Sequence, residues 1–307
     1  MSSIPSYVDL HGLDALIREA LKEDVGSGDI TSESTISAST TAVAVLKAKE
    51  NGIIAGLFVA EKCFHEVDPT LVVTWNFSDG AAVSVGDLVG EITGNARSIL
   101  LAERVALNFL QRMSGIATLT HTMVSALKTS KTKLLDTRKT LPGLRSLDKW
   151  AVLLGGGLNH RVGLFDMILI KENHISAAGG IENALDGALK KRAAIAKAGS
   201  EPIKIEIEVT SISELNQVLS HGGADRVMLD NFVTVEPNGS VNVQRLQEAV
   251  DLCQHQIETE ASGNVTLATL GAIGSTGVDY VSSGALTHSV MALDLSLIVT
   301  LHRTHKS

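Results

Sequence analysis

The stretch IKIEIEVTSISELNQVLSHGGADRVMLDNF (203–232) decides the fold class of this chain. It begins and ends with short apolar runs typical of buried strands, 203–209 and 226–230, and the residues between them (211–221) have helical spacing. A strand–helix–strand unit of this kind predicts a parallel sheet with helices packed on its strands.

The same alternation extends over most of the chain after residue 130. Further strand candidates lie at 133–137, 167–171, 257–262 and 280–284, and further helices at 146–154, 180–198 and 242–254. Six strands are too few for a complete (β/α)8 barrel, so we predict an incomplete α/β barrel, closed or nearly closed.

The first 130 residues have a different pattern, in which short strands mix with helices. A helix is predicted at 11–22, a turn-rich segment at 24–32, and a second helix at 57–67. The strand candidates are 42–49, 52–56, 71–77 and 87–94. Two further helices are predicted at 97–112 and 115–129, with Gly115 between them. These elements predict a separate α+β layer before the barrel.

One face of the helix at 97–112 is polar. Its members are Arg104, Asn108, Gln111, Arg112 and, just beyond the helix, Gly115. Such a stripe is usually a solvated surface, but it can also meet a ligand site or another subunit, and both interpretations stay open.

Composition excludes several classes of protein. The 307 residues are 44% hydrophobic and 20% charged, which is typical of a globular protein. With 26 Lys and Arg against 34 Asp and Glu, the net charge of −8 argues against a general binder of nucleic acid or anionic membranes. No basic start followed by an apolar run indicates a signal peptide, and no apolar stretch reaches the ~18 residues of a membrane helix. We expect a soluble, cytoplasmic protein.

Cationic residues cluster after the first two strands of the predicted barrel. They are Arg138, Lys139, His160, Arg161 and Lys171. The carboxyl ends of parallel strands meet at one edge of the sheet, where ligands bind in such folds. Each cation alone is explained by a solvated loop. Together, in a chain of net negative charge, they predict a site for a ligand with several negative charges, such as a dicarboxylate or a pyrophosphate.

Two carboxylates end neighbouring strands of the barrel. Glu208 and Asp230 are suited to hold Mg²⁺, to bind sugar hydroxyls, or to stabilise a developing positive charge in glycosyl transfer. An internal salt bridge to Lys139 or Lys171 is the alternative. Glu206 lies two residues earlier on the same strand face and is a substitute for either role.

Two late strands are followed by small residues whose amides can approach an anion. These are Ser262-Gly263-Asn264 and Ser283-Gly284-Ala285, and phosphate sites of this kind recur after the last strands of barrels. The intervening segment 139–166, with Gly155-Gly156-Gly157, does not match a phosphate-loop or dinucleotide motif. We interpret it as a mobile or tightly turned connection that brings His160 and Arg161 to the site.

The segment DTRKTLPGLRSLDKWAVLLGGGLNHRVGLFDMILIKENHI (136–175) closely resembles the signature of the quinolinate phosphoribosyltransferase family. The similarity continues in the same order along the chain, through EDVGSGDITS (23–32), ERVALNFLQRMSGIATLT (103–120), IEIEVTS (205–211), VMLDNF (227–232), EASGNVTL (260–267) and VSSGALTHS (281–289). It implies an N-terminal α/β sandwich-like domain over 1–115, joined by residues 290–307, and a C-terminal six-stranded, incomplete α/β barrel over 116–289, as in the type II phosphoribosyltransferases.

The resemblance also implies an activity and its residues. The activity is transfer of phosphoribosyl from phosphoribosyl pyrophosphate to quinolinate, with decarboxylation to nicotinate mononucleotide, and with Mg²⁺ as cofactor. The implied catalytic residues are Lys139, Lys171, Glu208 and Asp230, of which Glu208 and Asp230 contact the ribose and Mg²⁺. Quinolinate contacts are implied for Arg104, Thr137, Arg138, Lys139, His160, Arg161 and Lys171. Phosphoribosyl pyrophosphate contacts are implied for Lys139, Lys171, Glu208, Asp230, Ser262, Gly263, Asn264, Ser283, Gly284 and Ala285.

A homodimer is implied as well, in which Arg104 of one subunit reaches the site of the other, and dimers can assemble further. Three residues depart from the family pattern. Leu141 stands where Thr is expected, Glu172 where Asp is usual, and Leu153 where a basic residue is common. Only Leu153 removes a charge, so the electrostatic environment implied by the resemblance is least applicable around this residue.

Three other functions are weighed against this one. A relative of the same fold acting on nicotinate, or one associated with molybdenum uptake, needs fewer arginines than this chain has. A Schiff-base lyase with Lys171 as nucleophile needs fewer carboxylates around that lysine. The segment VSVGDLVGEITG (83–94) loosely resembles the hairpin of biotinyl or lipoyl carriers, but no lysine lies between Lys62 and Lys128 to carry the group.

Overall fold

The computed structural model of the protein describes residues 4–199, 201 and 203–301. These residues form two compact units. The described part of the first unit comprises residues 4–121, 141–156 and 289–301. The second unit comprises the described residues of 122–140 and 157–288. The boundary predicted between residues 115 and 116 therefore lies inside a helix, and segment 141–156 groups with the first unit. The predicted division into domains stays a prediction.

The first unit is built on an antiparallel sheet. Numbered in chain order, its elements are α1 (Leu10–Val25), α2 (Ile30–Thr35), β1 (Thr41–Ala48), β2 (Gly52–Ile53), α3 (Leu57–Val67), β3 (Val72–Trp75), β4 (Ala82–Val83), β5 (Leu88–Asn95), most of α4 (Ala96–Ala126), α5 (Arg145–Leu154) and β14 (Leu295–Leu301). The sheet has the order β14-β1-β5-β3, and β2 pairs with β4 separately. Alternate residues of β1 are buried, from Ala42 to Ala48, so one face of the sheet carries the core.

Strand β14 is not predicted by the sequence pattern. It pairs antiparallel with β1, from Ala42 opposite Leu301 to Ala48 opposite Leu295. Residues 289–301 thus return to the first unit, as the resemblance implies for 290–307. Residues 302–307 lie outside the described part of the chain.

The two helices predicted at 97–112 and 115–129 are wrong as separate elements, because α4 runs unbroken from Ala96 to Ala126. Gly115 lies inside this helix. A Cβ atom at that position would stand 2.0 Å from the carbonyl oxygen of Met291. The glycine therefore allows another segment of the chain to pack against the helix, and it does not end the helix.

Part of the polar stripe on α4 is occupied within the first unit. Gln111 Nε2 donates to the Leu295 carbonyl at 2.9 Å. Arg112 makes a two-bond ion pair with the buried Asp148 of α5, at 2.9 and 2.8 Å. A fully solvated stripe is therefore the wrong interpretation for these two residues. Arg104 and Asn108 remain exposed.

The second unit is built on a parallel sheet of six strands, ordered β6-β13-β12-β9-β8-β7. Its elements are the last turn of α4, β6 (Lys133–Leu135), β7 (Ile168–Ile170), α6 (Glu172–Ala178), α7 (Ile181–Lys197), β8 (Ile205–Val209), α8 (Ile212–His221), β9 (Arg226–Asp230), β10 (Thr234–Val235), β11 (Val241–Asn242), α9 (Gln244–Cys253), β12 (Glu258–Ser262), α10 (Leu267–Ser275), β13 (Tyr280–Ser282) and α11 (Ala285–His288). All six predicted strands are confirmed, each within the predicted range. In the described chain β6 and β7 are the edges, so the predicted incomplete barrel is confirmed.

Two segments predicted as turns contain helices. Residues 24–32 include the start of α2, whose first amides are capped by the Asp29 carboxylate. The interpretation of segment 139–166 as a mobile or tightly turned connection is wrong, because the segment contains α5. This helix confirms the one predicted at 146–154. Trp150 and its neighbours on α5 are buried, and apolar packing therefore fixes this helix.

Candidate active site

The predicted barrel residues lie at the carboxyl ends of the six parallel strands. Lys171 follows β7, Glu208 lies near the end of β8, and Asp230 ends β9. Ser262 ends β12 opposite Asp230 in register, and Ser283 follows β13. All the predicted site residues except Arg104 belong to the second unit. Arg104 is an exposed residue of α4 in the first unit.

Lys171 and Glu208 form an ion pair between Nζ and Oε2. The salt bridge considered as an alternative role for Glu208 therefore exists. Glu208 Oε1 is not part of this pair, and neither Asp230 oxygen contacts a lysine in the described chain. Asp230 Oδ2 accepts a hydrogen bond from Asn231 Nδ2 at 2.7 Å. Two carboxylates at neighbouring strand ends are the hard oxygen donors that Mg²⁺ prefers, so the donor set fits this ion.

Arg138 is half-buried and Arg161 is buried, and the two cations are close enough to affect each other. The Nε atoms of both are buried without a hydrogen-bond partner among the described residues. Arg161 Nη1 donates to the Met167 carbonyl at 3.3 Å. Burial lowers the pKa of Arg161, and the positive charge of Arg138 lowers it further. Unpaired guanidinium donors in a buried position are costly, and a ligand with carboxylates would satisfy both of them.

A buried aspartate fixes the loop that carries His160 and Arg161. Asp136 Oδ1 accepts the His160 amide at 2.8 Å, and Oδ2 accepts Asn159 Nδ2 at the same distance. His160 Nδ1 accepts the Arg161 amide at 2.8 Å. Its Nε2 lies 2.9 Å from Glu206 Oε2, inside the barrel. Both ring nitrogens therefore face groups of the protein, and the implied contact of His160 with quinolinate stays a prediction.

Sequence reasoning missed most of this buried network. Besides Asp136, it includes Glu260 of β12 and Arg226 of β9, whose Nη1 lies 3.1 Å from Glu260 Oε2. The sequence pattern predicts for Glu206 only a role as a substitute for Glu208 or Asp230. The available signal was an acidic residue at an inward position of a strand expected to be buried on both faces, because such a charge needs a partner.

The loop after β12 has the backbone that the phosphate prediction requires. Gly263 and Asn264 both have positive φ, +86° and +53°. A Cβ atom at Gly263 would stand 2.2 Å from Asn231 Oδ1, so no other residue fits there without a shift. Asn264 Nδ2 donates to the Val233 carbonyl at 2.9 Å and holds the loop on its neighbour.

Lys139 lies beside the other predicted phosphate loop, Ser283-Gly284-Ala285, which follows β13. Its amide is held by Thr137 Oγ1 at 3.0 Å, and its carbonyl accepts from Thr287 Oγ1 at 2.8 Å. A Cβ atom at Gly284 would stand 2.8 Å from Lys139 Cδ. The structure thus brings Lys139 next to the Ser283-Gly284-Ala285 loop, and its implied role with phosphoribosyl pyrophosphate stays a prediction.

No helix in the described part of the chain is long and apolar enough to cross a membrane. We compared the chain with known proteins. The family model for the N-terminal domain of quinolinate phosphoribosyl transferase matches residues 29–114, and that for the C-terminal domain matches residues 116–298. Quinolinate phosphoribosyltransferase (decarboxylating) 1b of Nicotiana tabacum is 50% identical over 299 residues, which cover 95% of this chain and 83% of the relative.

Two further similarities agree with this result. Chloroplastic nicotinate-nucleotide pyrophosphorylase (carboxylating) of Arabidopsis thaliana is 50% identical over 304 residues, covering 96% of this chain and 84% of the relative. The solved structure of the nicotinate-nucleotide pyrophosphorylase from Francisella tularensis superposes with a TM-score of 0.87 at 40% identity, covering 98% of this chain and 100% of that one. The chain therefore belongs to the quinolinate phosphoribosyltransferase family.

Proposed function

We propose that this protein transfers phosphoribosyl from phosphoribosyl pyrophosphate to quinolinate and decarboxylates the product to nicotinate mononucleotide, pyrophosphate and CO2. The observation that carries the proposal is the pair of buried, unpartnered guanidinium Nε atoms of Arg138 and Arg161, at the strand ends that also carry Glu208 and Asp230. A dicarboxylate matches the first pair, and a sugar that develops positive charge matches the second.

Quinolinate binding falls to the cationic residues. The forked donors of Arg138 and Arg161 suit the two adjacent carboxylates of the pyridine ring, with Thr137 beside them. Lys171 lies at the end of β7 on Glu208, between the proposed dicarboxylate and ribose positions. Binding at these residues orients the pyridine nitrogen towards C1 of the ribose.

Phosphoribosyl pyrophosphate binding falls to the later strands. The backbone of Ser262-Gly263-Asn264 and of Ser283-Gly284-Ala285 would receive its 5-phosphate, with Lys139 beside the second loop. Glu208 and Asp230 would hold Mg²⁺ and the ribose hydroxyls. When bound, Mg²⁺ would neutralise charge on the departing pyrophosphate.

Glycosyl transfer comes first in the proposed reaction. The pyridine nitrogen attacks C1 as the bond from C1 to pyrophosphate breaks, and the electron pair of that bond leaves with pyrophosphate. Glu208 and Asp230 are placed to stabilise the positive charge that develops on the ribose. Lys139 and Lys171 stabilise the departing anion.

Decarboxylation follows from the charge on the product. The ring nitrogen is now a pyridinium, which accepts the electron pair left on the adjacent carbon when the 2-carboxylate departs as CO2, and that carbon then takes a proton. Pairing a carboxylate with arginines stabilises its charged ground state, so these contacts aid orientation and do not drive this step.

A homodimer with Arg104 supplied to the partner's site is part of the proposal. The exposure of Arg104 on α4 and the family resemblance support it. Assembly beyond a dimer and a cytoplasmic location stay predictions. A Schiff-base role for Lys171 is not favoured, because its Nζ is ion-paired with Glu208; borohydride trapping with substrate would reveal it.

Release of labelled CO2 tests the proposal directly. Purified protein is mixed with carboxyl-labelled quinolinate, phosphoribosyl pyrophosphate and Mg²⁺, and each component is omitted in turn. We expect release only when all are present. A folded sample that releases no CO2 would overturn the quinolinate assignment, and other pyridine carboxylates would then be screened for pyrophosphate release.

A further inference from the structure

The interior of the barrel, below the proposed quinolinate site, contains a charged cluster that the reaction does not use. Its members are His160, Glu206, Glu260 and Arg226, all of them buried. His160 Nε2 lies 2.9 Å from Glu206 Oε2 and 3.6 Å from Glu260 Oε2. Arg226 Nη1 lies 3.1 Å from the same Glu260 oxygen, Oε2, and Arg226 also pairs with Glu258 at 3.2 Å.

This cluster does not fit a metal site, although the histidine and the two carboxylates are close enough to share an ion. His160 Nδ1 accepts the Arg161 amide at 2.8 Å, so Nδ1 carries no proton. The proton of the neutral imidazole is then on Nε2, and a protonated nitrogen is not a metal ligand. Nε2 instead lies close to the two carboxylates, 2.9 Å from Glu206 Oε2 and 3.6 Å from Glu260 Oε2, as an electrostatic contact.

The ring of His160 therefore connects two parts of the protein. On one side it holds the Arg161 amide, and on the other it faces the acid pair on β8 and β12. Arg161, whose amide is held in this way, also carries one of the buried, unpartnered guanidinium Nε atoms. Any shift of the imidazole would move the Arg161 backbone with it, because the hydrogen bond joins adjacent residues.

We propose that Glu206 and Glu260 are positioning residues, which fix the His160 ring as a spacer that holds Arg161 in place at the quinolinate site. Neither acid contacts a reacting group in this assignment. The inference rests on the proposed function, because it assumes that Arg161 binds quinolinate.

The surroundings of Glu260 favour its neutral form below about pH 7. Burial raises its pKa to about 7, and the charge of Glu206 contributes to this increase. The groups facing it are Glu206 from β8, Arg226 from β9, Ser282 from β13 and His160 from the loop before β7. Glu258 and Tyr280 both contact Arg226, with Tyr280 stacked on that guanidinium at 3.9 Å. Loss of the Glu260 proton would place a second negative charge beside Glu206 and disturb the ring.

Steady-state kinetics with both substrates test the proposal. In Glu260→Leu we expect the KM for quinolinate to rise about tenfold, because the His160 ring loses one of the two polar side chains that fix it, while the KM for phosphoribosyl pyrophosphate stays within about twofold. Glu260→Gln reproduces the neutral side chain and should keep both values near those of the wild type. Glu206→Gln, which removes a charge without changing shape, should raise only the KM for quinolinate.

The matched control is Glu258→Gln, which removes another partner of Arg226 away from His160 and should change neither KM. The pH profile separates positioning from a merely structural role. The KM for quinolinate of the wild type should rise as pH increases through about 7, and that of Glu260→Gln should not. Equal changes in both KM values, or none in Glu206→Gln, would overturn the positioning role. A wild type that releases no CO2 would instead overturn the proposed function.

Discussion

At the scale of single residues, the defining feature is a positive charge kept out of water. Arg161 is 9% exposed, and Arg138 is close enough to lower its pKa further. A like charge beside a buried guanidinium disfavours the empty site and favours a dianion between the two. The stability given up at this position is the physical basis for selective binding of a dicarboxylate.

Arg161→Ala should weaken quinolinate binding without unfolding the protein. We expect the KM for quinolinate to rise about 100-fold, since a two-bond contact to a carboxylate is lost, and the Tm to stay equal or increase as Arg138 loses a like-charged neighbour. Initial rates and thermal denaturation measure the two effects. Arg18→Ala, which removes an exposed arginine of the first unit, is the control. An unchanged KM in Arg161→Ala would remove this residue from the site.

At the scale of elements, short loops place the chemistry and close packing sets their shape. The loop after β12 depends on Gly263, which combines a φ of +86° with the close approach of Asn231. A side chain there must strain the backbone and displace Asn231, which also hydrogen-bonds Asp230.

Gly263→Ala should therefore raise the KM for phosphoribosyl pyrophosphate about tenfold, with less effect on quinolinate, because the amides of this loop shift away from the phosphate. The control is Gly271→Ala, on α10 a few residues later, where a Cβ atom meets nothing within 4 Å. Kinetics with each substrate varied in turn distinguish the outcomes. If Gly263→Ala and Gly271→Ala had the same KM for phosphoribosyl pyrophosphate, the assignment of this loop to phosphate binding would be wrong.

Gly115 gives a prediction about stability at the same scale. Gly115→Ala places a Cβ atom 2.0 Å from the Met291 carbonyl oxygen, so α4 or the 291–293 segment must move. We expect the free energy of unfolding to fall by about 2 kcal/mol, despite the higher helix propensity of alanine. Gly187→Ala, in the exposed middle of α7 with nothing within 4 Å, should instead increase it by about 0.5–1 kcal/mol. Urea denaturation measures both, and a stabilised Gly115→Ala would refute the packing argument.

At the scale of the whole molecule, Glu260 links stability to pH. The folded protein holds a proton on Glu260 up to a pKa of about 7, whereas the unfolded chain releases it near 4.5. Between these values the folded state binds more protons, so this group makes the free energy of unfolding decrease as pH rises. Carboxylates with lowered pKa, such as Asp14, act in the opposite direction.

The difference between wild type and Glu260→Gln isolates the contribution of this group. As pH rises from 4.5 to 7, the free energy of unfolding of Glu260→Gln should increase by up to about 3 kcal/mol relative to that of the wild type. Above pH 7 this difference should change little. Urea denaturation across this range measures it. A constant difference at every pH would mean that Glu260 does not titrate there.

Assembly is tested by mixing two inactive proteins. If Arg104 acts in the partner's site, Arg104→Ala and Arg161→Ala subunits should together form heterodimers with one intact site. Random exchange would then restore about one quarter of the wild-type activity, because half of the dimers are mixed and half of their sites are intact. Activity after co-refolding is the measurement, and each variant refolded alone is the control. No recovery in verified heterodimers would place Arg104 in its own subunit's site or outside it.

Residue patterns along the chain are sufficient to predict the strands of the barrel, the order of its elements and the cations and carboxylates at the strand ends. Local periodicity carries that information, because a buried strand must be apolar and a strand end in a parallel sheet faces the ligand side. Arg138, Glu208 and Asp230 could be chosen in this way, and the resemblance then gave the reaction.

The contacts between polar groups, by contrast, depend on how the chain folds in three dimensions. The pairing of β14 with β1, the continuity of α4 past Gly115 and the approach of Glu260 to His160 all join residues far apart in the chain. Hydrogen bonds and packing between such residues produce no periodic pattern in the sequence, because each partner taken alone looks like an ordinary strand, glycine or acid. The buried acids below the quinolinate site could therefore be located only once the strands were assembled around them.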